Sequence, residues 1–326
     1  MQLKKKKNLN IIEELITSGP WKKTEDERIQ MTISCQDSSS IPKVKNAGKI
    51  FEVNNTSIQL MHNGLKVAAG GYHGEWMQKI IKELKGHHEP QEEYAFFNIL
   101  SKLDSNKDCT MIELGSFWSY YSLWFLKEFT KGTAIACEPD PNNREIGITN
   151  SKINGLTERI KFINSAAGSV DGEHIEIPMD SDQLKSIKPI VRTVDSLIQE
   201  HGINYLDILH MDVQGVELDA LEGAIESIKK GKIRFVFVST HHYLFSRDPL
   251  THKKCIDFLN ANGAHIITSH TVLESFSGDG LIVASFNKKD KDISINTSLN
   301  HTDNSLFRSS EEDLALAIEI ANEQFN

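Results

Sequence analysis

The chain has 326 residues, 39% of them hydrophobic, which is enough apolar material for a large buried core. Its formal net charge of −9 gives no general attraction to nucleic acid or to an anionic membrane. No apolar run has the length of a membrane span, and the basic residues 4–7 precede no apolar core of a secretory signal. The four cysteines lack metal-ligand spacing, which favours buried thiols in the reducing cytoplasm.

Residues 1–107 are predicted to form an N-terminal extension of short strands and helices. Three weak strand patterns come first, at residues 29–35, 58–61 and 66–69. A strong amphipathic pattern then predicts a helix over residues 75–84. A second helix is expected from Pro90 to residue 103, because proline suits the first turn of a helix, where no amide donor is needed.

Residues 108–286 alternate strand and helix patterns and form the predicted main domain. Seven short apolar strands are expected, at residues 109–114, 133–138, 160–163, 207–211, 233–238, 265–268 and 281–286. Helices fit between them, at residues 119–130, 142–153, 216–230 and 249–262. Short apolar strands separated by helices indicate an α/β fold, with a mainly parallel seven-stranded sheet covered by helices on both faces.

Residues 287–326 are predicted to be a polar linker followed by a C-terminal amphipathic helix. Ser310 and Asp313 have the spacing of a capping box at the start of that helix. One apolar stripe follows, formed by Leu314, Ile318, Ala321 and Phe325. The helix is expected to dock either on the domain or on a partner, so an oligomer formed through it stays open.

The first strand of the main domain ends in a turn of unusual composition. The segment ELGSFWS places Glu113 before a single glycine, Gly115, where a dinucleotide-binding turn has several glycines. Phe117 and Trp118 in this turn would crowd a pyrophosphate. The pattern therefore favours a nucleoside ligand without phosphates. S-adenosylmethionine is such a ligand, and its ammonium and sulfonium groups favour a nearby acid such as Glu113.

Glu138 ends the second strand and is predicted to accept hydrogen bonds from a ribose diol. The same acid could hold the ribose of a nicotinamide cofactor, so it does not discriminate between the two ligands. Ser116 and Ser119 belong to the turn itself, while Asn164 and Ser165 follow the third strand, where they would meet the adenine. Ordinary turn chemistry explains such residues equally well when each is taken alone.

A long apolar strand ends at Asp212, and Gln214, Gly215 and Glu217 follow before a helix begins. Ligands of open α/β sheets bind beyond the carboxyl ends of the strands. We therefore expect Glu113, Glu138 and Asp212 to converge at one edge of the sheet.

Together these motifs resemble a known family. The segments ELGSFWSYYS, ACEPDPNN, NGL, VRTVDSLI and LHMDVQGVELDALEGA are similar to those of the FkbM family of S-adenosylmethionine-dependent methyltransferases, over about residues 86–286. The resemblance implies the class I methyltransferase fold, which is Rossmann-like, and usually O-methylation of a hydroxyl on a sugar or natural product. It assigns Glu113, Gly115 and Glu138 to the cofactor. The family's acidic motif corresponds to Asp212, Gln214, Gly215 and Glu217.

Three features depart from the family pattern. The usual Asn and Gly of the first turn are Phe117 and Ser119 here. The Lys common two places before the acid is His210, and the Glu two places before His241 is Ser239. The first change is expected to narrow the cofactor turn, and the other two alter the acceptor side of the site.

Methyl transfer to a hydroxyl requires in-line positioning and removal of a proton. Asp212 and His241 are the two candidates for the base, because each lies just beyond a strand. His210 lies within its strand and is expected to point into the layer beneath the site. Further residues are assigned to the side of a small-molecule or glycan acceptor, namely His88, Glu89, His210, Gln214 and Glu217.

Histidines in motif-like positions invite the hypothesis of a metal centre. They are His62, His73, His87, His88, His241 and His242. None of these pairs has the i, i+4 spacing of a zinc-binding helix, so no metal is predicted. Two rival classes stay open: a nicotinamide-dependent enzyme, which the missing glycines disfavour, and a degenerate cofactor-binding module without catalysis.

Overall fold

The computed structural model describes residues 23–53, 56–179, 184–307 and Ile318. Helices and a small antiparallel sheet come first: α1 (Glu25–Ser34), β1 (Ile50–Val53), β2 (Thr56–Leu60), β3 (Lys66–Ala68), α2 (Glu75–Glu83) and α3 (Pro90–Leu100). β2 is the central strand of this sheet and pairs with both neighbours. The strands predicted at 58–61 and 66–69 and the two predicted helices are confirmed.

The prediction of a strand over residues 29–35 is wrong, because residues 29–34 lie in α1 and Cys35 is its C-cap. Its apolar residues alternate, which is typical of a strand. However, the Thr24 hydroxyl accepts a hydrogen bond from the Glu27 amide, and the Glu27 carboxylate accepts one from the Thr24 amide. This capping box and three acids in the first turn start a helix. The helix then buries Ile29 and Met31.

Strands β4 to β14 follow: β4 (Thr110–Leu114), β5 (Thr133–Cys137), β6 (Ile160–Ile163), β7 (Ser165–Ala167), β8 (Ile177–Pro178), β9 (Ser186–Ile187), β10 (Ile190–Arg192), β11 (Leu206–Asp212), β12 (Ile233–Thr240), β13 (His265–His270) and β14 (Gly280–Ser285). Seven of them form the main sheet in the order β13-β14-β12-β11-β4-β5-β6. Outside it, β7 pairs with β10 and β8 pairs with β9. The predicted α/β fold with seven strands is confirmed.

The direction of β14 matters for the site. All neighbours in the main sheet are parallel except β14, which is antiparallel to β12 and β13. Gly280 at the start of β14 therefore lies opposite Thr240 at the end of β12. The residue that precedes β14 consequently reaches the edge at which the parallel strands end.

The remaining helices are α4 (Tyr120–Glu128), α5 (Pro141–Ile153), α6 (Val194–Glu200), α7 (Glu217–Glu222), α8 (Ile225–Lys229), α9 (Tyr243–Ser246) and α10 (Thr251–Ala261). The single helix predicted over 216–230 is therefore wrong. A Cβ on Gly223, between α7 and α8, would lie 2.3 Å from the Gly168 carbonyl oxygen, so the backbones are in close contact there. The Asp195 carboxylate then accepts the amides of Glu226 and Ser227, which starts α8 afresh.

Two hydrophobic clusters cover the two faces of the main sheet. One contains Phe96, Trp124 and Phe237 and packs α3 and α4 on the sheet. The other contains Leu221 and Val236 and packs α7 on the opposite face. Adjacent residues of β12 thus belong to different clusters, as the alternation of a strand requires. Burying a large apolar side chain contributes roughly 1.5–3 kcal/mol, so both layers hold the strand ends in place.

Residues 287–307, predicted as a linker, lie against the domain. The Ile295 amide donates to the Ile267 carbonyl, and the Phe307 ring stacks on His242 with 4.3 Å between centroids. The C-terminal helix predicted beyond them lies outside the described residues apart from Ile318. No helix in the described part of the chain is long and apolar enough to cross a membrane.

Candidate active site

Gly115 is required by a close backbone contact. It follows β4 with φ of 72°, and a Cβ there would lie 1.7 Å from the Asp212 carbonyl oxygen. Any side chain would therefore push the end of β11 away from the turn. Gly115 therefore allows the turn after β4 to pack directly against Asp212 at the end of β11.

Two other residues of this turn have left-handed backbone conformations. Phe117 has φ of 40° and Ser119 has φ of 60°. This region suits Gly and Asn, and it is unfavourable for other residues by roughly 1–2 kcal/mol. At these two positions the family pattern described above has Asn and Gly. In this chain the two left-handed positions are occupied, with strain, by residues that do not favour that conformation.

Glu113 lies inside the sheet rather than at its mouth. Its carboxylate is buried and accepts a hydrogen bond of 3.0 Å from the Ser122 amide in the first turn of α4. Burial raises the pKa of Glu113 to about 7, although the charge of His210 opposes the shift. This acid fixes the start of α4 behind the turn.

Glu138 ties the end of β5 to the same turn. One carboxylate oxygen accepts the Phe117 amide at 2.9 Å, and the other accepts the Asp140 amide at 2.8 Å. A carboxylate oxygen can accept more than one donor, so these bonds are compatible with a contact to a diol. Asn164 is exposed nearby and accepts a bond of 3.2 Å from Arg144.

The serines of this region suit a ligand that carries hydroxyl and amino groups. Ser116 and Ser119 are buried, and neither hydroxyl has a hydrogen-bond partner in the described part of the chain. Ser165, the first residue of β7, is buried beside the Cys137 thiol. Unpartnered buried hydroxyls are uncommon in folded proteins. The turn therefore fits the polar groups of S-adenosylmethionine.

An ion-pair cluster lies where β11 and β12 end. His241 Nδ1 lies 2.6 Å from a Glu217 oxygen, and its Nε2 lies 3.2 Å from an Asp212 oxygen. Burial lowers the pKa of His241, but the surrounding carboxylates outweigh it and raise the pKa well above the ordinary value. The His241 charge in turn lowers the pKa of Asp212, although burial opposes this. Gln214 is exposed and donates to Asp212 at 3.3 Å.

Asp279 joins this cluster and was not expected from the sequence. It directly precedes β14, and one of its oxygens lies 3.6 Å from His241 Nε2. Burial raises the pKa of Asp279 to about 7, while 28% of its side chain remains exposed. A sequence signal existed in SGDG before an apolar strand. It gains meaning only once β14 is known to be antiparallel.

Glu92 connects two of the positions that depart from the family pattern. One oxygen lies 2.7 Å from His210 Nε2, and the other accepts the Ser239 hydroxyl at 2.8 Å. All three residues are buried, so His210 points into the layer beneath α3 as expected. Glu92 supplies from α3 a carboxylate beside Ser239, where the family has an acid. In the sequence, the only indication of this role of Glu92 was that Ser239 replaces the acid of the family pattern.

The segment GHHEPQEE forms a buried network. The Glu93 carboxylate accepts the Tyr120 hydroxyl at 3.1 Å and the His88 amide at 2.7 Å. Glu89 accepts the Tyr121 hydroxyl at 3.1 Å. Burial lowers the pKa of His88, but Glu89 and Glu93 outweigh it and raise the pKa to about 10. His88 is therefore an imidazolium that holds two carboxylates beneath the site.

One group of described residues has the composition of a metal site, namely His62, His87 and Glu93. The rings of His62 and His87 are stacked 4.2 Å apart at 18°, so their in-plane lone pairs do not converge on one point. Glu93 already accepts from Tyr120 and lies 2.5 Å from His87 Nδ1. The group is therefore arranged as a hydrogen-bonded stack.

Weak similarities to solved structures accompany the fold. The chain is similar to TrmK from M. capricolum in complex with S-adenosyl-homocysteine, with 13% identity, a TM-score of 0.37 and coverage of 70% of this chain and 83% of that one. It is also similar to the N-terminal domain of human METTL16 in complex with the same product, with 14% identity, a TM-score of 0.39 and coverage of 61% and 71%. At such scores these likenesses carry no information about the reaction.

Family comparison is decisive where structural comparison is weak. No curated protein sequence matches the chain significantly. The model described as the methyltransferase FkbM domain matches residues 70–266, which is more than half of the chain. Membership confirms the resemblance seen in the sequence and, with it, S-adenosylmethionine as the cofactor. The chain belongs to the FkbM methyltransferase family.

Proposed function

We propose that the protein O-methylates a hydroxyl of a sugar, a glycan or another natural product, with S-adenosylmethionine as the methyl donor. The observation that carries this proposal is the cluster of Asp212, His241 and Glu217 at the ends of β11 and β12. It lies directly behind the cofactor turn, because the Asp212 carbonyl is in contact range of Gly115. Asp212 keeps 27% of its side chain exposed, so an acceptor can reach it.

The cofactor supplies an electrophilic methyl group on a sulfonium, and the chain supplies position and charge. We assign the ribose to Glu138. The remaining cofactor contacts are assigned to Glu113, Gly115, Ser116, Ser119, Asn164 and Ser165. Both Gly115 and Glu113 lie within the protein and shape the site indirectly. Gly115 lets the turn lie against the Asp212 carbonyl, and Glu113 holds the first turn of α4.

On the acceptor side, Asp212 and His241 have different roles. Asp212 is the exposed partner and orients the acceptor hydroxyl. His241 is buried and charged, so it holds Asp212 in place rather than removing a proton. The buried acceptor-side candidates His88, His210 and Glu217 act by positioning their carboxylate and imidazole partners. Glu89 is buried in the network around His88, whereas Gln214 is exposed at the site.

Aromatic rings border this polar cluster. Tyr72 donates to Glu89 at 3.4 Å and stacks on Trp118 with 4.6 Å between centroids. His73 and Trp76 stack nearby, 5.8 Å apart. Small-molecule sites in proteins combine flat apolar surfaces with a few polar groups that fix orientation. The combination supports a small-molecule or glycan acceptor whose ring presents CH groups to the aromatic side chains and hydroxyl groups to the polar ones.

The composition supports a cytoplasmic enzyme that acts on such acceptors rather than on nucleic acid. All four cysteines are free and buried, as expected in a reducing compartment. The net charge of −9 provides no phosphate-binding surface of the usual basic kind.

Calorimetry with S-adenosylmethionine and S-adenosylhomocysteine tests the cofactor assignment. One site per chain is expected. Glu138→Gln removes a charged acceptor of hydrogen bonds, which is worth roughly 1.5–3 kcal/mol. Affinity should therefore fall by about one to two orders of magnitude, while the unfolding midpoint shows whether the fold is retained.

Three other results would revise the proposal. Binding of NAD without S-adenosylmethionine would favour the nicotinamide enzyme. Cofactor binding without turnover of any sugar or natural-product hydroxyl would favour a degenerate binding module. Unchanged affinity in Glu138→Gln would show that this acid serves only to join β5 to the turn.

A further inference from the structure

Asp279 occupies a special place in the sheet. It lies outside the residues matched by the family model and directly precedes the antiparallel strand β14. Since β14 starts opposite Thr240, the Asp279 backbone is fixed beside the end of β12. An Asp279 oxygen lies 3.6 Å from His241 Nε2, and an Asp212 oxygen lies 3.2 Å from the same nitrogen. Two carboxylates, one at the end of β11 and one directly before β14, thus border one imidazolium.

The two carboxylates differ in their hydrogen bonding. The same Asp212 oxygen accepts from Gln214 and lies against His241. Within residues 23–53, 56–179 and 184–307, Asp279 accepts no hydrogen bond, and His241 is its nearest cation. Its side chain is 28% exposed. Both carboxylates are open to an acceptor, but one oxygen of Asp212 is already engaged, so Asp279 is the freer of the two to take a proton.

We propose that Asp279 is the general base of the methyl transfer, a role that rests on the proposed O-methyltransferase function. The acceptor O–H bond breaks and its proton moves to an oxygen of Asp279. The electron pair of the acceptor oxygen forms the new bond to the methyl carbon, while the methyl–sulfur bond breaks and its pair stays on sulfur. The products are a methyl ether, a neutral thioether and a protonated Asp279.

The groups that face Asp279 suit this role. Burial is the main cause of its raised pKa, and the negative charges of Asp212 and Glu89 add to it, while His241 and Arg28 oppose it. A base with a pKa near 7 is poised for proton transfer at neutral pH. Asp212 has a lowered pKa because it is paired with His241, and this makes it the weaker base.

The first test needs no acceptor. Protein labelled with 13C at aspartate carboxyl groups is titrated by NMR, with and without saturating S-adenosylhomocysteine, and Asp279→Asn assigns the signal. We expect a midpoint near 7 for Asp279 and an acidic one for Asp212. An Asp279 midpoint below about 5, or a neutral midpoint assigned to Asp212, would overturn the proposal. Failure of S-adenosylhomocysteine to bind would instead count against the proposed function, and the titration of the free protein would still decide on Asp279.

The second test measures thermal unfolding. A carboxyl with a raised pKa destabilises the fold as pH rises, because the unfolded chain ionises first. Asp279→Asn should therefore raise Tm relative to wild type at pH 8 and leave it nearly unchanged at pH 4. The exposed residue Asp292 provides a matched control, and Asp292→Asn should show no such difference. Equal Tm differences at both pH values would contradict the role.

The third test measures turnover with sugar and natural-product hydroxyl acceptors. Asp279→Asn should lower methyl transfer by at least ~100-fold, the low end for a general base, and leave S-adenosylmethionine affinity within about threefold. Loss of cofactor affinity in this variant would place Asp279 in the cofactor site and overturn the proposal. Full activity in Asp279→Asn would do the same.

Discussion

Asp212 and His241 form an ion pair at the carboxyl ends of the strands, and each stabilises the charged form of the other. His241 contacts Glu217 on one side and Asp212 on the other, with no exposed ring nitrogen to collect a proton from solvent. An imidazolium so enclosed stabilises nearby negative charge and keeps its own proton. We therefore propose separate roles for the carboxylates around it: Glu217 anchors the ring, Asp212 orients the acceptor and Asp279 accepts the proton.

Asp212→Asn tests this division of roles. The amide keeps the shape of the side chain but loses the charge that pairs with His241. We expect methyl transfer to fall by ~100-fold, the cost of a misplaced reactant, and cofactor affinity to change only a few-fold. The NMR midpoint of Asp279 should also fall, because Asp212 is one of the like charges that raise it.

The outcomes separate a catalytic role from a structural one. Loss of both cofactor binding and thermal stability would mean that Asp212 mainly holds the end of β11. An unchanged rate would direct attention to His241→Ala. Activity that chelator abolishes and divalent ion restores would show that the reaction needs a metal, contrary to the prediction from the sequence.

The turn between β4 and α4 is the element to which we assign the cofactor. Its backbone follows the course that suits Asn and Gly, while the sequence supplies Phe117 and Ser119. The strain is supported by fixed neighbours: Glu138 accepts the Phe117 amide, and Gly147 approaches the Ser119 hydroxyl. Such strain commonly persists only where the surroundings hold the backbone in place.

Ser119→Gly should relieve this strain. A residue in the left-handed region costs roughly 1–2 kcal/mol, and the greater flexibility of glycine in the unfolded chain offsets about 0.4–1 kcal/mol of the relief. The unpartnered buried hydroxyl is removed as well. We expect the free energy of unfolding to rise by about 1 kcal/mol in urea denaturation.

Ser122→Gly is the matched control for this change. Ser122 lies in α4, where glycine is less favourable than serine by about 0.5 kcal/mol. That variant should be less stable than wild type. Destabilisation by Ser119→Gly would show that the serine side chain makes contacts worth more than the strain.

One buried polar layer joins the N-terminal part of the molecule to the main sheet. It contains the imidazolium of His88 and the carboxylates of Glu89 and Glu93, and it continues through Glu92 to His210 on β11. Breaking a buried ion pair by removing one partner is costly, because the other charge is left uncompensated. The position of α3 relative to the sheet therefore depends on these charges.

His88→Gln provides a test with a defined pH dependence. The folded pKa of His88 is about 10 and its ordinary value is 6.5. Its contribution to stability is therefore complete below pH 6.5 and is lost as pH rises towards 10. Glu93 has a lowered pKa, so its contribution does not vary in this range.

The measurement is urea unfolding of wild type and variant at pH 6 and pH 10. The stability lost in His88→Gln should be larger at pH 6. The exposed residue His174 offers a control, and His174→Gln should cost little at either pH. A cost that is equal at both pH values would mean that His88 is neutral and acts by packing alone.

The spacing of apolar residues along the chain predicts much of the fold and of the strand ends to which we assign the cofactor. The apolar strands and amphipathic helices follow from residue period, and the ends of β4, β5 and β11 follow from where those runs stop. The strand predicted over residues 29–35 failed because a capping box at Thr24 outweighed the alternation. The helix predicted over 216–230 failed because Gly168 and Asp195, distant in sequence, interrupt it.

The family, the parallel sheet and the acids that follow its strands can all be read from the sequence, because these depend on neighbours along the chain. Which of the acids meet depends instead on the three-dimensional arrangement. Asp279 reaches His241 because β14 is antiparallel, and Glu92 reaches Ser239 because α3 packs on the sheet. The direction of a strand and the packing of a helix are set by the burial of distant apolar surfaces. A run of neighbouring residues carries no direct sign of either.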